Sequence, residues 1–198
     1  MADAANYKRV LNNCKSKSHE VQMYFPHFER LVIEFSWDVS ISYVFAILER
    51  AKHMTVYCGI IKLHNTEKTL TRTLVDKDHM SRGRFRELFK IVFGKEIEKC
   101  LLQKLSEAEK IRDKIVHGKD WTAEEARRAL VDVFEFAEGF NNFVNELAGF
   151  KPIGGELRGL KGAKASLSKE TSRWVLRGMG IGIEKNEPVR VPSCPKAT

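Results

Sequence analysis

Between residues 126 and 147 the apolar side chains Ala126, Leu130, Val133, Ala137, Phe140, Val144 and Leu147 alternate steps of four and three. That spacing puts all of them on one side of an α-helix and does not suit the two-residue alternation of a half-buried strand. Phe134, Phe136 and Phe143 widen the stripe, so this helix is expected to pack on more than one neighbour and to offer surface to a partner chain. Thr122 with Glu125 three residues later has the form of a capping box at its start.

The segment just before it has the same character. Ile97, Leu101, Leu105, Ala108, Ile111 and Ile115 recur at steps of three and four, and Gly118 follows. Glycine most readily takes the left-handed conformation that closes a helix, so a long helix is expected to stop there with His117 on its last turn. With a short loop between them, the two helices form an αα-hairpin with the histidine at the bend.

The rest of the chain reads as helical too. Residues 1–24 are expected as a polar segment with a weak helical signal at Tyr7, Val10 and Leu11. Phe28, Leu31, Val32 and Phe35 after Pro26 make a short helix. A second long helix, capped by Asp38 and reaching Lys62 or His64, carries Ile41, Val44, Phe45, Leu48, Ala51, Thr55 and Cys58 on one face, as a central helix would. Asn65 to Asp78 has no clear period and is expected to be a connection. Ser81 to Phe93 turns Phe85, Leu88, Phe89, Val92 and Phe93 inward and Arg82, Arg84, Arg86 and Lys90 outward; that basic face suits either simple solvation or contact with RNA phosphates. Tyr24, Phe25 and Trp37 fit a core better than a base-stacking platform. Ser168 to Leu176 allows one or two helical turns.

Length and composition bound the answer. With 198 residues, 43% of them hydrophobic, the chain is long enough for one core of ordinary size. No window approaches 18 apolar residues, so no membrane span is expected. Met1 to Lys15 lacks the apolar run of a secretory signal, so the expected location is cytoplasmic. Cys14, Cys58, Cys100 and Cys194 are scattered, which suits reduced thiols rather than a disulfide framework or a zinc site. The formal charge is +8, and residues 151–198 hold most of the excess, with ten Lys and Arg against four Asp and Glu. This glycine-rich basic stretch reads as a C-terminal extension that either attracts polyanions or is merely solvated. No phosphate-loop or dinucleotide pattern occurs, and His19, His27, His53, His64 and His79 show no ligand spacing, so neither a cofactor nor a metal is expected.

Chemistry concentrates in Lys110-Ile111-Arg112-Asp113-Lys114-Ile115-Val116-His117-Gly118. The unpaired carbonyls at a helix C-terminus favour a protonated His117. Asp113, four residues earlier, is expected to neighbour the ring, favour its charge and hold its orientation. Arg112 adds a permanent planar cation. Five residues separate it from His117, about 140° on an ideal helix, so the two converge on one phosphate only if the last turn loosens or a second copy of the helix faces the first. The carboxylates Glu107 and Glu109 are expected on a solvated face.

Arg112-Asp113-Lys114-Ile115-Val116-His117, at the end of the first of two paired helices, resembles the R-x-x-x-x-H signature of the HEPN superfamily, whose second position is commonly small and polar, as Asp113 is. The resemblance covers residues 25–150. It implies an all-α bundle of four to five helices, a homodimer with the motif at its interface, and a metal-independent endoribonuclease, an activity that serves in toxin-antitoxin and defence systems. Carried onto this chain, His117 is the acid-base group, Arg112 stabilises charge on the phosphorane, Asp113 orients His117, RNA is the substrate, and a cognate antitoxin protein is a candidate partner. The alternative is a non-catalytic domain of that family, or a helical adaptor, binding RNA, nucleotide or a protein.

Overall fold

The long period between Ala126 and Leu147 becomes the main packing surface of the chain. The computed structural model describes residues 6–154 and 165–182. They form α1 (Tyr7–Lys15), α2 (His19–Tyr24), α3 (Phe28–Glu34), α4 (Trp37–His64), α5 (Lys68–Lys77), α6 (Arg82–Phe93), α7 (Lys99–Val116), α8 (Ala123–Ala148) and α9 (Lys169–Gly178), with no strand among the described residues. The fold is all-α. No helix among those described is long and apolar enough to cross a membrane.

In α8 the expected stripe is buried from Ala126 to Val144, and Leu147 is partly buried against it. The extra phenylalanines meet different neighbours, as the widened stripe implied. Phe134 makes edge contacts with Phe25 and Phe28, at centroid distances of 5.3 and 4.6 Å. Phe140 lies 6.2 Å from Phe85 and 5.7 Å from Phe89. Thus α8 packs on the α2–α3 region along one flank and on α6 along another. Its most extensive pairing is with α7, which closes the expected hairpin. Gly139 makes this closeness possible, because a Cβ there would stand 2.5 Å from Leu101 Cδ2.

Several helix starts follow ordinary capping chemistry. The Thr122 hydroxyl accepts from the Glu125 backbone N–H, and the Glu125 carboxylate accepts in return from the Thr122 N–H, completing the capping box. Ser81 caps α6. At α4 the cap position belongs to Ser36, and Asp38 lies within the first turn, where a negative charge still complements the helix dipole.

Residues 25–150 hold six helices, α3 to α8, against the four to five expected, and one of the six falls on a stretch read as a connection. Asn65 to Asp78 is not a plain connection, because residues 68–77 form α5. Threonine has weak helix propensity and hid the signal. Here Glu67 accepts hydrogen bonds from the Thr69 and Leu70 N–H groups, and Thr71 and Val75 are buried on the inner face. The Thr71 hydroxyl donates to the Glu67 carbonyl, so the polar group goes inward with a partner.

Both ends of the described chain join the same core. Val10, Leu11, Cys14 and Val21 are buried, so the polar-looking residues 1–24 supply an apolar face. Burial pushes the Cys14 thiol up to about 11 and the Cys58 thiol up to about 12, which keeps both protonated and unreactive. Within 151–182 the described residues Ile153, Leu176, Met179 and Ile181 are buried in that core. The α9 helix is tied down by the Glu67 N–H donating to Ser172 Oγ and by Arg84 Nη2 donating to the Gly180 carbonyl. Residues 1–5, 155–164 and 183–198, including part of the basic extension, lie outside the described residues.

Asn141 is the clasp for the segment after α8. It is 1% exposed, donates to the Ile153 carbonyl and accepts from the Ile153 N–H. Asn141→Ala strands both backbone groups in the interior and should cost about 3 kcal/mol, since each unsatisfied buried group costs about 1–3. Urea unfolding monitored by circular dichroism checks this.

Candidate nucleic-acid site at the end of helix α7

The end of α7 is set by local chemistry. Leu101, Leu105 and Ala108 are buried, Ile111 and Ile115 pack partly against the core, and the apolar period stops there. Gly118 follows at φ +63°. Its N–H donates to the Ile115 carbonyl, and the Lys119 N–H reaches back to the Lys114 carbonyl, the paired bonds of a Schellman cap. His117 is the capping residue itself, one step beyond the last turn, and is exposed. Its ring makes no hydrogen bond among the described residues. The hairpin bend is held across its base by Lys114 Nζ, 2.7 Å from Glu125 Oε1 of the capping box.

Asp113 does not serve His117 as expected. Its Oδ1 accepts from Arg82 Nη2 at 2.7 Å and from Arg112 Nη1 at 3.2 Å. Two permanently charged guanidinium groups take the carboxylate in place of the imidazole. These bonds, Arg82 first and then Arg112, hold the Asp113 carboxyl below the usual carboxylate range against the opposing effect of partial burial. Asp113 therefore positions arginines. The structure brings the Arg112 and Asp113 side chains together, while His117 meets Asp113 through the backbone, its N–H donating to the Asp113 carbonyl at 3.0 Å.

Beneath this surface pair lies a line of charges that sequence reasoning missed. Glu109 was expected on a solvated face with Glu107. Glu107 is indeed exposed and paired with Lys110 at 2.7 Å, but the Glu109 side chain is only 5% exposed. Its Oε1 lies 3.1 Å from Lys52 Nζ and its Oε2 3.1 Å from Arg82 Nε. Lys52, 3% exposed at its side chain, also bonds Glu49 at 2.9 Å and stands 5.9 Å from the centroid of the Phe85 ring. The order Glu49, Lys52, Glu109, Arg82, Asp113, Arg112 thus alternates in sign and joins α4, α7 and α6. Arg82, assigned to an outward basic face, is its hinge. A signal existed: Lys52 follows Leu48 by four residues, and Glu109 follows Leu105 by four, so both charges occupy core positions of their helices.

The outcome is a surface with Arg112 at 37% and Arg82 at 42% side-chain exposure, beside an exposed histidine. Such a group can bind phosphate through the guanidiniums and exchange a proton through the imidazole. Of the other histidines, His64 is engaged elsewhere, its Nε2 2.9 Å from the Val92 carbonyl oxygen. Among the described residues there is no group of His, Cys, Asp and Glu able to hold a metal ion.

Two measurements check this geometry. Glu109→Ala leaves Lys52 buried without its main counter-charge and should lower stability by about 3–5 kcal/mol, while Lys52→Met/Glu109→Met, which removes both charges, should recover most of it. Since Asp113 has a lowered folded-state pKa, its contribution is complete above about pH 4, the ordinary aspartate value, and is lost as pH falls through the lower folded value. The stability gap between wild type and Asp113→Asn should therefore shrink in acid, as read from urea melts across pH.

No protein-family model, no curated protein and no solved structure matches this chain.

Proposed function

We propose that this chain is a HEPN-type endoribonuclease that cleaves RNA without a metal or cofactor, acting in the cytoplasm as a toxin or defence effector. The observation that carries the reading is the presentation of Arg112 and His117 at one helix end. Arg112 is fixed by Asp113 yet still partly exposed, and His117 is exposed on a rigid glycine cap with its ring unengaged among the described residues.

In this scheme His117 takes the proton from a ribose 2′-hydroxyl. The 2′-oxygen attacks the adjacent phosphorus and the bond to the 5′-oxygen breaks, leaving a 2′,3′-cyclic phosphate and a 5′-hydroxyl. Arg112 stabilises the charge that builds on the non-bridging oxygens. The leaving oxygen needs a proton, and one chain offers one histidine here. A second copy, meeting the first across a twofold axis, supplies the other histidine and also resolves the separation of about 140° between Arg112 and His117 on an ideal helix. Asp113 acts through Arg112. A cognate antitoxin would then cover this end.

One observation favours the competing reading of a non-cutting helical adaptor. Ile33 and Phe35 are 60% and 52% exposed, with Val39 nearby in sequence, at the α3–α4 corner. An apolar patch of this kind suits a protein partner.

The deciding experiment incubates wild type, Arg112→Ala and His117→Ala with mixed RNA in EDTA and analyses the ends. Wild type should yield cyclic phosphates, and each folded variant should lose about 100-fold or more in rate. Equal activity in all three eliminates the site, and an inert wild type favours the adaptor. Sedimentation showing a monomer at the assay concentration would remove the composite cleft.

A further inference from the structure

We propose that Arg82 is a second phosphate-binding residue of this site, forming with Arg112 a two-guanidinium clamp for one phosphodiester of RNA. The proposal deepens the reading above and rests on it for the identity of the bound chain.

The two arginines come from different helices and lie 30 positions apart in sequence, so the convergence is tertiary. Both touch the same atom, Asp113 Oδ1, Arg82 Nη2 at 2.7 Å and Arg112 Nη1 at 3.2 Å. A shared oxygen confines two permanent cations to one small region, where like charges would otherwise spread apart. Asp113 offsets only one of them. Glu109 offsets the other, because Glu49 already pairs with Lys52 from below. The six charges of the line therefore sum to zero, and what its surface end offers a phosphate is directed guanidinium N–H groups rather than excess charge.

Donors remain to be used. Arg82 spends Nε on Glu109 Oε2 and Nη2 on Asp113, which leaves Nη1. Arg112 spends only Nη1 on Asp113, which leaves Nε and Nη2. A phosphodiester, with one negative charge and two non-bridging oxygens, can take the Arg112 fork of Nε and Nη2 together with Arg82 Nη1. Arg82 is also held in advance. Its Nε is fixed by a carboxylate whose own side chain is 5% exposed, so little rotamer freedom is lost on binding.

The same geometry gives Asp113 an unusual expected effect. It holds nitrogens that the ligand does not use, but its negative charge repels the phosphate. Asp113→Asn keeps the Oδ1 acceptor and removes that charge, so it should tighten binding, whereas a residue serving only to hold the fold would leave binding unchanged or weaker.

The test uses a short, fully 2′-O-methylated single-stranded RNA, which keeps the phosphates but has no 2′-hydroxyl to react. Fluorescence anisotropy is read across a salt series for wild type, Arg82→Gln, Arg82→Lys, Arg112→Gln, Asp113→Asn and Lys110→Gln, with thermal melts to confirm folding. Arg82→Gln and Arg112→Gln should each weaken binding about tenfold and lower the salt slope by about one. Asp113→Asn should tighten binding several-fold, and Lys110→Gln, outside the clamp, should change it less than twofold. Arg82→Lys keeps a cation beside Glu109 but loses the fork. It should weaken binding severalfold, and it carries the result if Arg82→Gln does not fold. Wild-type affinity in folded Arg82→Gln, or in Arg82→Lys if that alone folds, overturns the clamp, as does weaker binding by Asp113→Asn. Cleavage is scored separately on unmodified RNA. Binding that depends on both arginines in a protein that does not cut keeps the clamp and discards the nuclease. Cutting that needs Arg112 and His117 but is indifferent to Arg82 does the reverse.

Discussion

The contact between Lys52 and Glu109 places two full charges inside the helical core, and much of the surrounding arrangement answers to it. Taking an ion out of water costs several kcal/mol even after the protein relaxes. The cost is met only if each charge has well-placed partners. Glu109 has one cation at each carboxylate oxygen, Lys52 on one side and Arg82 on the other. Lys52 adds Glu49 and the nearby Phe85 ring. Three helices must therefore hold a common register. A slide of α6 by one turn would take Arg82 away from Glu109 and leave a buried carboxylate half satisfied. Apolar packing tolerates such slips far better than a charge line does, so the network selects one arrangement of α4, α6 and α7 among those the apolar stripes would allow.

That selection reaches the surface. Arg82 emerges from the network and meets Asp113, and Asp113 meets Arg112. A residue whose rotamers would be free on an isolated helix becomes anchored, through two carboxylates, to the interior. The glycine cap sets His117 by a different means, since Gly118 at φ +63° reverses the chain and puts the imidazole just beyond the last turn. The arginines are therefore fixed by long-range electrostatics and the histidine by local backbone geometry. Among the described residues no side-chain hydrogen bond joins the two sets, and for that reason the proposed chemistry looks to a second copy.

Much of this was readable beforehand where the physics is local. The α7 stop at Gly118, the capping box at Thr122 and Glu125, and the α8 stripe all depend on residues within a few positions of one another, and all appear where expected. The failures share a cause. The α5 helix was hidden because threonine-rich sequence has little helical preference of its own, and packing against the core supplies what is missing. Asp113 is assigned to His117 because the two are four residues apart; that spacing does give the backbone bond from His117 N–H to the Asp113 carbonyl, but Arg82, which arrives from another helix, takes the side chain. Glu109 is expected to be solvated because charges usually are, and Lys52 drew no expectation, although the positions of both in the apolar rows carry the contrary signal.

By itself the sequence determined that the chain is helical, where the two helices of the α7–α8 hairpin run and end, and that an arginine, an aspartate and a histidine gather at the end of α7. These follow from periodicity and capping, which act over one or two turns. Only the tertiary structure decided which charge faces which. Arg82 reaches Asp113 from 31 residues away, and Lys52 reaches Glu109 from 57. Such pairings depend on how helices cross in space, and no spacing along the chain encodes them. The partnership of Arg82 with Arg112, on which the phosphate clamp rests, could come from nowhere else.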